Sequence, residues 1–193
     1  MISETDTGLT GGFRLLERRF MPGIRSSALR AVHEPSGAEL TFFRCPGDRE
    51  KLFAAVFRTP PEDSTGVPHI LEHCVLCGSA RFPMKDPFME LVKTSMATYI
   101  NAVTYDDRTM YPCASLVTKD FFNLVDVYMD AAFHPLLDRS SFLQEGHRLD
   151  FLEDGRTARM GVVYNEMRGA YSDPDDYMER RLRCLLFPGG TYG

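Results

Sequence analysis

The sequence has no surplus of basic residues and no long apolar run. Its 193 residues carry 22 lysines and arginines against 27 aspartates and glutamates, a net charge of −5, which argues against a nucleic-acid partner. Charged residues or prolines interrupt every apolar run well before the roughly 18 residues that a membrane span needs. The N-terminal stretch MISETDTGLTGGF lacks the basic start and apolar core of a secretory signal and the arginine-rich character of a transit peptide. We therefore predict a cytoplasmic protein with no nucleic-acid and no membrane partner.

The cysteines lack the even number and regular spacing of a disulfide-bonded protein. The cysteines are odd in number and scattered, at positions 45, 74, 77, 113 and 184, so no disulfide framework is expected and a reducing compartment is indicated. Cys74 and Cys77 form a C-x-x-C pair with three open interpretations: buried reduced thiols, metal binding by Cys77 one turn beyond a histidine, and thiol redox chemistry. We favour buried reduced thiols, because free cysteine is among the most buried residue types.

The apolar pattern predicts a single α+β domain over residues 1–193, a predominantly antiparallel sheet with helices packed on it. Hydrophobic residues make up 44% of the chain, enough for a sizeable core. Strand-like alternation is found over residues 12–20, 28–33, 39–45, 52–58, 101–105 and 109–114. Turn residues between the first four strands favour antiparallel hairpins, and an acidic turn at Asp106 and Asp107 would join the last two.

Helical periodicity predicts five helices. They cover residues 68–76, 86–100, 118–132, 157–171 and 175–186. Pro68 suits the first turn of the first helix, whose end is expected at Gly78. Thr118 is expected to cap the third helix, and Pro174 to separate the last two.

The strongest chemical signal is formed by His69, Glu72 and His73, at the spacing H-x-x-E-H. On a helix, residues four apart lie one turn from each other, so both imidazoles can face one metal ion. Zinc accepts neutral imidazole nitrogen, and a catalytic zinc site uses three protein ligands and leaves a fourth position for water. An adjacent carboxylate can take a proton from such a water, and Glu72 is placed for that role. The order of the residues is that of the inverzincin signature.

A third ligand must come from another part of the chain, and Glu166 is the candidate. Val162, Val163, Met167 and Ala170 surround it at helical offsets, so a helix would carry this carboxylate on a largely apolar face. A carboxylate that is partly removed from water requires a cation. Periodicity alone leaves open the alternative that Glu166 lies at the rim of the protein, in water.

Several longer stretches resemble the presequence protease branch of the pitrilysin and insulin-degrading enzyme superfamily, from about residue 13 to residue 193. They are GVPHILEHCVLCGS, FPMKDPFMELVKTSMATYINAVTYDDRTMYPCAS, TKDFFNLVDVYMDAAFHPLL, FLQEGHRLDFLED, GVVYNEMRGAYSDP and LFPGGTYG, in the family's order. The resemblance implies one Zn2+ per chain, with His69, His73 and Glu166 as ligands and Glu72 as general base.

The resemblance also implies a substrate-binding strand beside the zinc, which begins with the asparagine and alanine of NAVTY. Asn101 and Ala102 are those residues here, and we predict that they bind substrate. A free strand edge binds an extended peptide through main-chain hydrogen bonds, whatever its side chains. The alternative is an interior strand that is already paired on both sides.

The sequence as a whole predicts a zinc-dependent metalloendopeptidase that hydrolyses unfolded peptides. The family encloses such peptides between the two halves of a clamshell, and its members are several times longer than this chain. The chain is therefore expected to be the first domain of a clamshell peptidase, truncated, that binds zinc but hydrolyses peptides weakly or not at all without the missing C-terminal half. Two alternatives are a non-catalytic structural or peptide-binding homologue and a redox-responsive zinc protein that uses Cys77.

Overall fold

The computed structural model describes residues 11–189, which form two compact units. The first unit ends at Arg49 and the second begins at Glu50. Residues 1–10 and 190–193, which include most of the N-terminal stretch discussed above and the final TYG, lie outside the described residues. A single zinc-bearing catalytic domain over residues 1–193 stays a prediction.

The first unit is a meander of three antiparallel strands. They are β1 (Phe13–Met21), β2 (Ser26–His33) and β3 (Glu39–Arg44), with β2 in the middle. A 3-10 turn joins β1 to β2, and the pairing register shifts by one residue between Leu15 and Glu17, as in a β-bulge. The observed bounds lie within two residues of the predicted strands, so this part of the prediction is confirmed.

The second unit is built on a sheet in the order β4, β7, β5, with β6 also paired to β7. The strands are β4 (Lys51–Arg58), β5 (Ala97–Ile100), β6 (Val103–Thr104) and β7 (Arg108–Ser115). β4 pairs with β7 along its whole length, from Lys51 opposite Ser115 to Arg58 opposite Arg108. The predicted hairpin between residues 39–45 and 52–58 is therefore wrong. β7 is the better partner because its last five residues are all buried.

The acidic turn at Asp106 and Asp107 is present as predicted. The backbone N–H of Tyr105 donates to the carbonyl oxygen of Arg108 at 2.8 Å and closes the turn between β6 and β7. β6 is shorter than the predicted strand over 101–105, which leaves Asn101 and Ala102 in the connection between β5 and β6.

Helix α3 (Thr118–Phe133) packs on β4 and β7 and completes the core of the second unit. Its Leu124, Tyr128 and Ala131 are buried together with Tyr111 and Cys113 of β7. Full burial of a large apolar side chain contributes roughly 1.5–3 kcal/mol, so this face of the sheet is the most strongly packed part of the unit.

Five further helices lie in the second unit, two of them before the central hairpin. They are α1 (Val67–Val75), α2 (Pro87–Thr94), α4 (Arg139–Glu145), α5 (Val162–Ala170) and α6 (Pro174–Leu186). Pro174 opens α6 as predicted, and the carboxylate of the preceding Asp173 accepts the backbone N–H of Asp175 at 2.9 Å. Strands β8 (Arg148–Phe151) and β9 (Thr157–Met160) form a separate antiparallel pair between α4 and α5.

Two predicted helix boundaries and one predicted cap are wrong. Residues 97–100 form β5 and residues 157–160 form β9, because pairing with β7 and with β8 overrides the local periodicity. The N-cap of α3 is Val117, so Thr118 is the first helical residue and caps nothing. α1 ends at Val75 with its C-cap at Leu76, within one residue of the predicted end, and Gly78 follows with a positive φ of 129°.

All strand pairings among residues 11–189 are antiparallel, and helices pack on the central sheet. The predicted α+β fold class is confirmed. Within the same residues, no helix is both long enough and apolar enough to cross a membrane.

Candidate metal centre

Helix α1 carries both imidazoles of the candidate site on one face. Gly66 precedes the helix in the left-handed conformation, with a φ of 76°, and Pro68 stands in the first turn. His69 and His73 lie one turn apart, and their ring centroids are 5.1 Å from each other. Both side chains are mostly buried, so the two rings line the same space.

Glu166 of α5 reaches this pair of rings. Its Oε2 atom lies 3.8 Å from Nε2 of His69 and 3.8 Å from Nε2 of His73. The side chain is 55% exposed, so of the two interpretations left open by the sequence, the rim position is closer to the structure. The exposure does not separate the carboxylate from the imidazoles, because the exposed side chain still points its oxygen at both rings.

Glu145, the last residue of α4, belongs to the site although sequence reasoning missed it. Its Oε2 atom lies 3.1 Å from Nδ1 of His73, and its Oε1 atom accepts the amide of Gln144 at 2.9 Å. The side chain is 12% exposed. An ionised carboxylate only accepts hydrogen bonds, so Nδ1 of His73 carries the proton and Nε2 presents its lone pair toward Glu166. The only sequence signal was the glutamate of FLQEGHRLDF, which has no metal-ligand spacing.

The donor set fits a divalent cation. In an imidazole with its single proton on Nδ1, Nε2 is an acceptor like Oε2 of Glu166, and these two atoms of His73 and Glu166 face each other at 3.8 Å, as two ligands of one cation would. The three ligand atoms of His69, His73 and Glu166 all lie within 4.8 Å of one another. Zinc ligands at about 2.1 Å from one ion lie about 3.4 Å apart in a tetrahedron, so a small inward movement would bring these three atoms to zinc distances.

Glu72 lies on the same wall as the imidazoles and is 6% exposed. Its carboxylate takes part in no hydrogen bond or ion pair among residues 11–189. Burial and, second, the charge of Glu72 raise the pKa of the Tyr111 hydroxyl above its usual range. A buried carboxylate without a fixed partner is free to accept a proton from a bound molecule.

The candidate site opens into a cleft of about 1340 Å³. Small-molecule pockets usually measure about 300–1,000 Å³, so this cleft has room for a longer ligand. Residues 101–106 line one side of it and α5 lines another. An extended peptide fits such a space better than a metabolite does.

Asn101 and Ala102 lie on the cleft wall, between two strands that each pair with β7 alone among the described residues. The carbonyl oxygen of Asn101 accepts the hydroxyl of Tyr128 at 3.1 Å, and its N–H donates to the carbonyl of Pro112 at 3.2 Å. The N–H of Ala102 donates to the side-chain oxygen of Asn101 at 3.0 Å. The interior-strand alternative thus finds no second partner strand in residues 11–189.

Cys77 lies next to the site without joining the cluster of acceptors. Its Sγ atom donates to the carbonyl oxygen of His73 at 3.4 Å, and the group of candidate ligands within residues 11–189 contains no sulfur. Burial first and the charge of Glu145 second raise the pKa of the Cys77 thiol to about 12. The thiolate that binds metals and attacks disulfides is therefore disfavoured.

Comparison with known proteins identifies the family. The profile described as Insulinase (Peptidase family M16) matches residues 58–151. Presequence protease 1, chloroplastic/mitochondrial, from Arabidopsis thaliana is 48% identical over 185 residues, which are 94% of this chain and 17% of that protein. The chain belongs to the M16 peptidase family, in its presequence protease branch. The resemblance inferred from the sequence is confirmed, and membership of the M16 family supports a peptidase-type function.

Two other relatives extend the comparison. Protein HypA from Clostridium perfringens is 46% identical over 97% of this chain and 19% of that protein. The mitochondrial presequence protease of Mus musculus is 41% identical over 94% of this chain and 18% of that protein. The chain therefore spans less than a fifth of the length of these relatives.

A solved structure agrees with the fold. The crystal structure of pitrilysin superposes with a TM-score of 0.58 and 25% identity, over 67% of this chain and 14% of the pitrilysin chain. The M16 chain thus shares its architecture with a small part of a much longer protein.

Proposed function

We propose that this chain is the zinc-bearing domain of a metalloendopeptidase that hydrolyses unfolded peptides. One observation carries the proposal: Nε2 of His69, Nε2 of His73 and Oε2 of Glu166 converge beside Glu72, a buried carboxylate with no partner in residues 11–189. The three converging atoms would hold one zinc ion per chain. Glu72 is not part of this group of converging ligand atoms.

The chemistry divides between the ion and the side chains. A zinc ion at this position would supply Lewis-acid catalysis, which polarises a peptide carbonyl and makes water a better nucleophile at neutral pH. Glu72 accepts the proton of the attacking water and delivers it to the nitrogen of the leaving amine. Glu145 keeps the proton of His73 on Nδ1 and so keeps Nε2 available as a ligand.

The substrate would lie along the connection between β5 and β6. Asn101 and Ala102 would bind its main chain at the cleft wall, where the N–H of Ala102 is held by the Asn101 side chain. A side-chain amide is displaced more easily than a paired strand, so a peptide can take over this donor. Main-chain binding is independent of sequence, which suits a peptidase that acts on unfolded chains.

A second half is part of the proposal. Because the chain spans 17–19% of the length of the relatives named above, we propose that it acts as the first domain of a clamshell peptidase whose C-terminal half supplies further substrate contacts. By itself the chain would bind zinc and hydrolyse peptides weakly or not at all. A cytoplasmic location stays a prediction, since two of the named relatives are organellar by name.

Metal analysis tests the ligand set. We expect one zinc ion per chain in the wild type and in Cys77→Ser, and none in His69→Ala or Glu166→Gln. Circular dichroism of each variant would show whether the fold is kept. Zinc that persists in folded Glu166→Gln, or that disappears in Cys77→Ser, would contradict the proposal, and the second result would favour the redox alternative.

A cleavage assay tests the chemistry. A quenched fluorescent, unstructured peptide would be offered to this chain and to a protein that extends it to the length of its relatives. We expect fast hydrolysis only by the longer protein, and loss of that hydrolysis in Glu72→Gln with zinc content unchanged. Hydrolysis that survives in the Glu72→Gln variant would rule out Glu72 as the general base.

A further inference from the structure

Hydrogen bonds fix the connection between β5 and β6 from two layers of the second unit. The N–H of Asn101 donates to the carbonyl oxygen of Pro112 on β7 at 3.2 Å, and its side-chain Nδ2 atom donates to the hydroxyl of Tyr99 on β5 at 3.2 Å. Its carbonyl oxygen accepts the hydroxyl of Tyr128 at 3.1 Å. The first two contacts come from strands of the same sheet. The third comes from α3, which packs on that sheet.

Tyr128 belongs to the core and not to the cleft. Its side chain is 1% exposed, and it is absent from the residues within 11–189 that line the cleft. Its ring packs edge-on against Phe88, with 6.4 Å between the ring centroids. Burial is the largest of the causes that raise the pKa of its hydroxyl far above the ordinary value, so the hydroxyl keeps its proton at neutral pH. Because a buried hydroxyl without a partner is costly, the core holds the Asn101 carbonyl firmly.

The orientation of this carbonyl determines the orientation of the next amide. The carbonyl of Asn101 and the N–H of Ala102 belong to one planar peptide unit. No peptide bond among residues 11–189 is cis, and in a trans unit the C=O and N–H bonds point in opposite directions. A hydroxyl that draws the Asn101 carbonyl toward α3 therefore turns the Ala102 N–H away from α3. That N–H donates at 3.0 Å to Oδ1 of Asn101, an exposed residue on the cleft wall.

We propose that Tyr128 is a positioning residue for the substrate: by holding the Asn101 carbonyl, it directs the Ala102 N–H toward the cleft, where that N–H donates to a main-chain carbonyl of the bound peptide. The inference deepens the proposed function and rests on it, because it takes the occupant of the cleft to be a peptide. Tyr128 acts through Asn101 and does not touch the peptide itself. A donor that is already oriented loses little freedom on binding, so the hydroxyl adds affinity for any peptide sequence.

Removing the hydroxyl while keeping the ring tests the proposal. Tyr128→Phe is introduced into the full chain that also carries Glu72→Gln to prevent hydrolysis. Fluorescence anisotropy with a short, labelled, unstructured peptide with blocked ends measures peptide affinity, and competition with a chelator measures zinc affinity. We expect peptide affinity to fall about three- to tenfold, the size of one neutral hydrogen bond, with zinc affinity unchanged. Unchanged peptide affinity, or an equal fall in zinc affinity, would overturn the proposal.

Leu124→Val is the matched control. Leu124 lies one turn before Tyr128 on α3 and is fully buried, so the loss of a methylene group destabilises the same core and leaves the Tyr128 hydroxyl in place. Midpoints of urea unfolding compare the stability of the two variants. We expect Leu124→Val to bind the peptide as tightly as its parent does. An equal loss of peptide affinity in both variants would mean that core packing, not the hydrogen bond, determines binding, and would overturn the proposal.

A spectroscopic measurement needs no change on α3 and serves if Tyr128→Phe does not fold. In the chain with Glu72→Gln alone, nuclear magnetic resonance follows the backbone amides as the peptide is added. We expect a larger shift for the Ala102 amide, which exchanges its side-chain acceptor for a peptide carbonyl, than for the Asn101 amide, which stays bonded to Pro112. A shift of Asn101 at least as large as that of Ala102, or no peptide binding by a chain that holds zinc, would overturn the proposal.

The proposed function fails on other readouts. A chain that binds no zinc, or hydrolysis that survives in Glu72→Gln, would refute the peptidase chemistry whatever Tyr128 does. A zinc-loaded chain whose peptide affinity does not depend on the Tyr128 hydroxyl would refute the positioning role alone.

Discussion

Helices α1 and α5 supply the candidate metal ligands from very different surroundings. α1 buries Glu72, Cys74 and Val75 and packs against α4, α5, β6 and β7, whereas α5 buries only Val163. The imidazole pair therefore belongs to the packed interior of the second unit. The carboxylate stands on a helix that few apolar contacts hold.

What positions α5 is a close approach of two backbones. A Cβ atom on Gly161, the N-cap of α5, would lie 2.1 Å from the carbonyl oxygen of Gly146, which follows Glu145. Two glycines thus let the start of α5 touch the end of α4. The two helices that carry the candidate ligands are therefore held in place differently. Burial of its side chains positions α1. The backbone contact at Gly161 positions α5, together with the interaction between Glu166 and the imidazoles.

Replacing Glu145 tests whether the orientation of His73 on α1 depends on this residue of α4. In Glu145→Gln the charge that holds the proton on Nδ1 of His73 is lost, and we expect zinc affinity to fall about 10- to 100-fold. Competition with a fluorescent chelator would measure the affinity. Glu153→Gln, which removes an exposed carboxylate, is the control and should leave it unchanged. An equal affinity in both variants would mean that packing alone orients His73.

The glycine contact can be broken directly. Gly161→Ala puts a methyl group into the carbonyl of Gly146, and we expect the free energy of unfolding to fall by about 1–3 kcal/mol, together with weaker zinc binding. Urea denaturation would measure the change. Gly169→Ala on the same helix meets no atom within 4 Å and should stabilise the helix by about 0.5–1 kcal/mol. The same change in the free energy of unfolding in Gly161→Ala and Gly169→Ala would show that the contact does not position α5.

Metal removal sharpens the contrast in dynamics. In zinc-free protein we expect backbone amides of α5 to exchange with deuterium about tenfold faster than those of α1, because local opening costs less where few apolar contacts are broken. Added zinc should slow the exchange of the α5 amides, since zinc binds only the form in which α5 is folded against the site. Mass spectrometry of peptic fragments would measure both rates. Slow exchange in α5 without metal would contradict the contrast.

The smallest expected effect concerns the thiol at the end of α1. With the pKa of Cys77 raised to about 12, we expect little alkylation of it by iodoacetamide at pH 8, while the exposed Cys184 reacts. The raised pKa also implies a stability that is complete below about pH 9 and is lost as the pH rises toward 12, because only the unfolded chain releases the proton in that window. Alkylation of Cys77 as fast as that of Cys184 would contradict this expectation.

The sequence predicted the local features of the site and missed the ones that depend on distant partners. His69, Glu72 and His73 lie within one helical turn and a half, so their spacing determines their common face. Glu166 was found because its helix also has a clear apolar period. Glu145 was not, because its partner His73 is 72 residues away and a single hydrogen bond leaves no periodic pattern.

The errors in the fold have the same origin. Residues 97–100 and 157–160 continue a helical pattern in the sequence, and only their pairing with β7 and β8 makes them strands. β4 was assigned to a hairpin with its neighbour in sequence, whereas its partner lies beyond four intervening elements, α1, α2, β5 and β6. The first unit was predicted well because each of its strands pairs with the next one along the chain.

The size of the cleft has a consequence for inhibitor design. A drug-sized compound would fill only part of about 1340 Å³ and would leave much of its own surface in solvent, which limits affinity. A useful lead would therefore combine a chelating head for the imidazole pair with an extended, peptide-like tail that reaches the connection after β5.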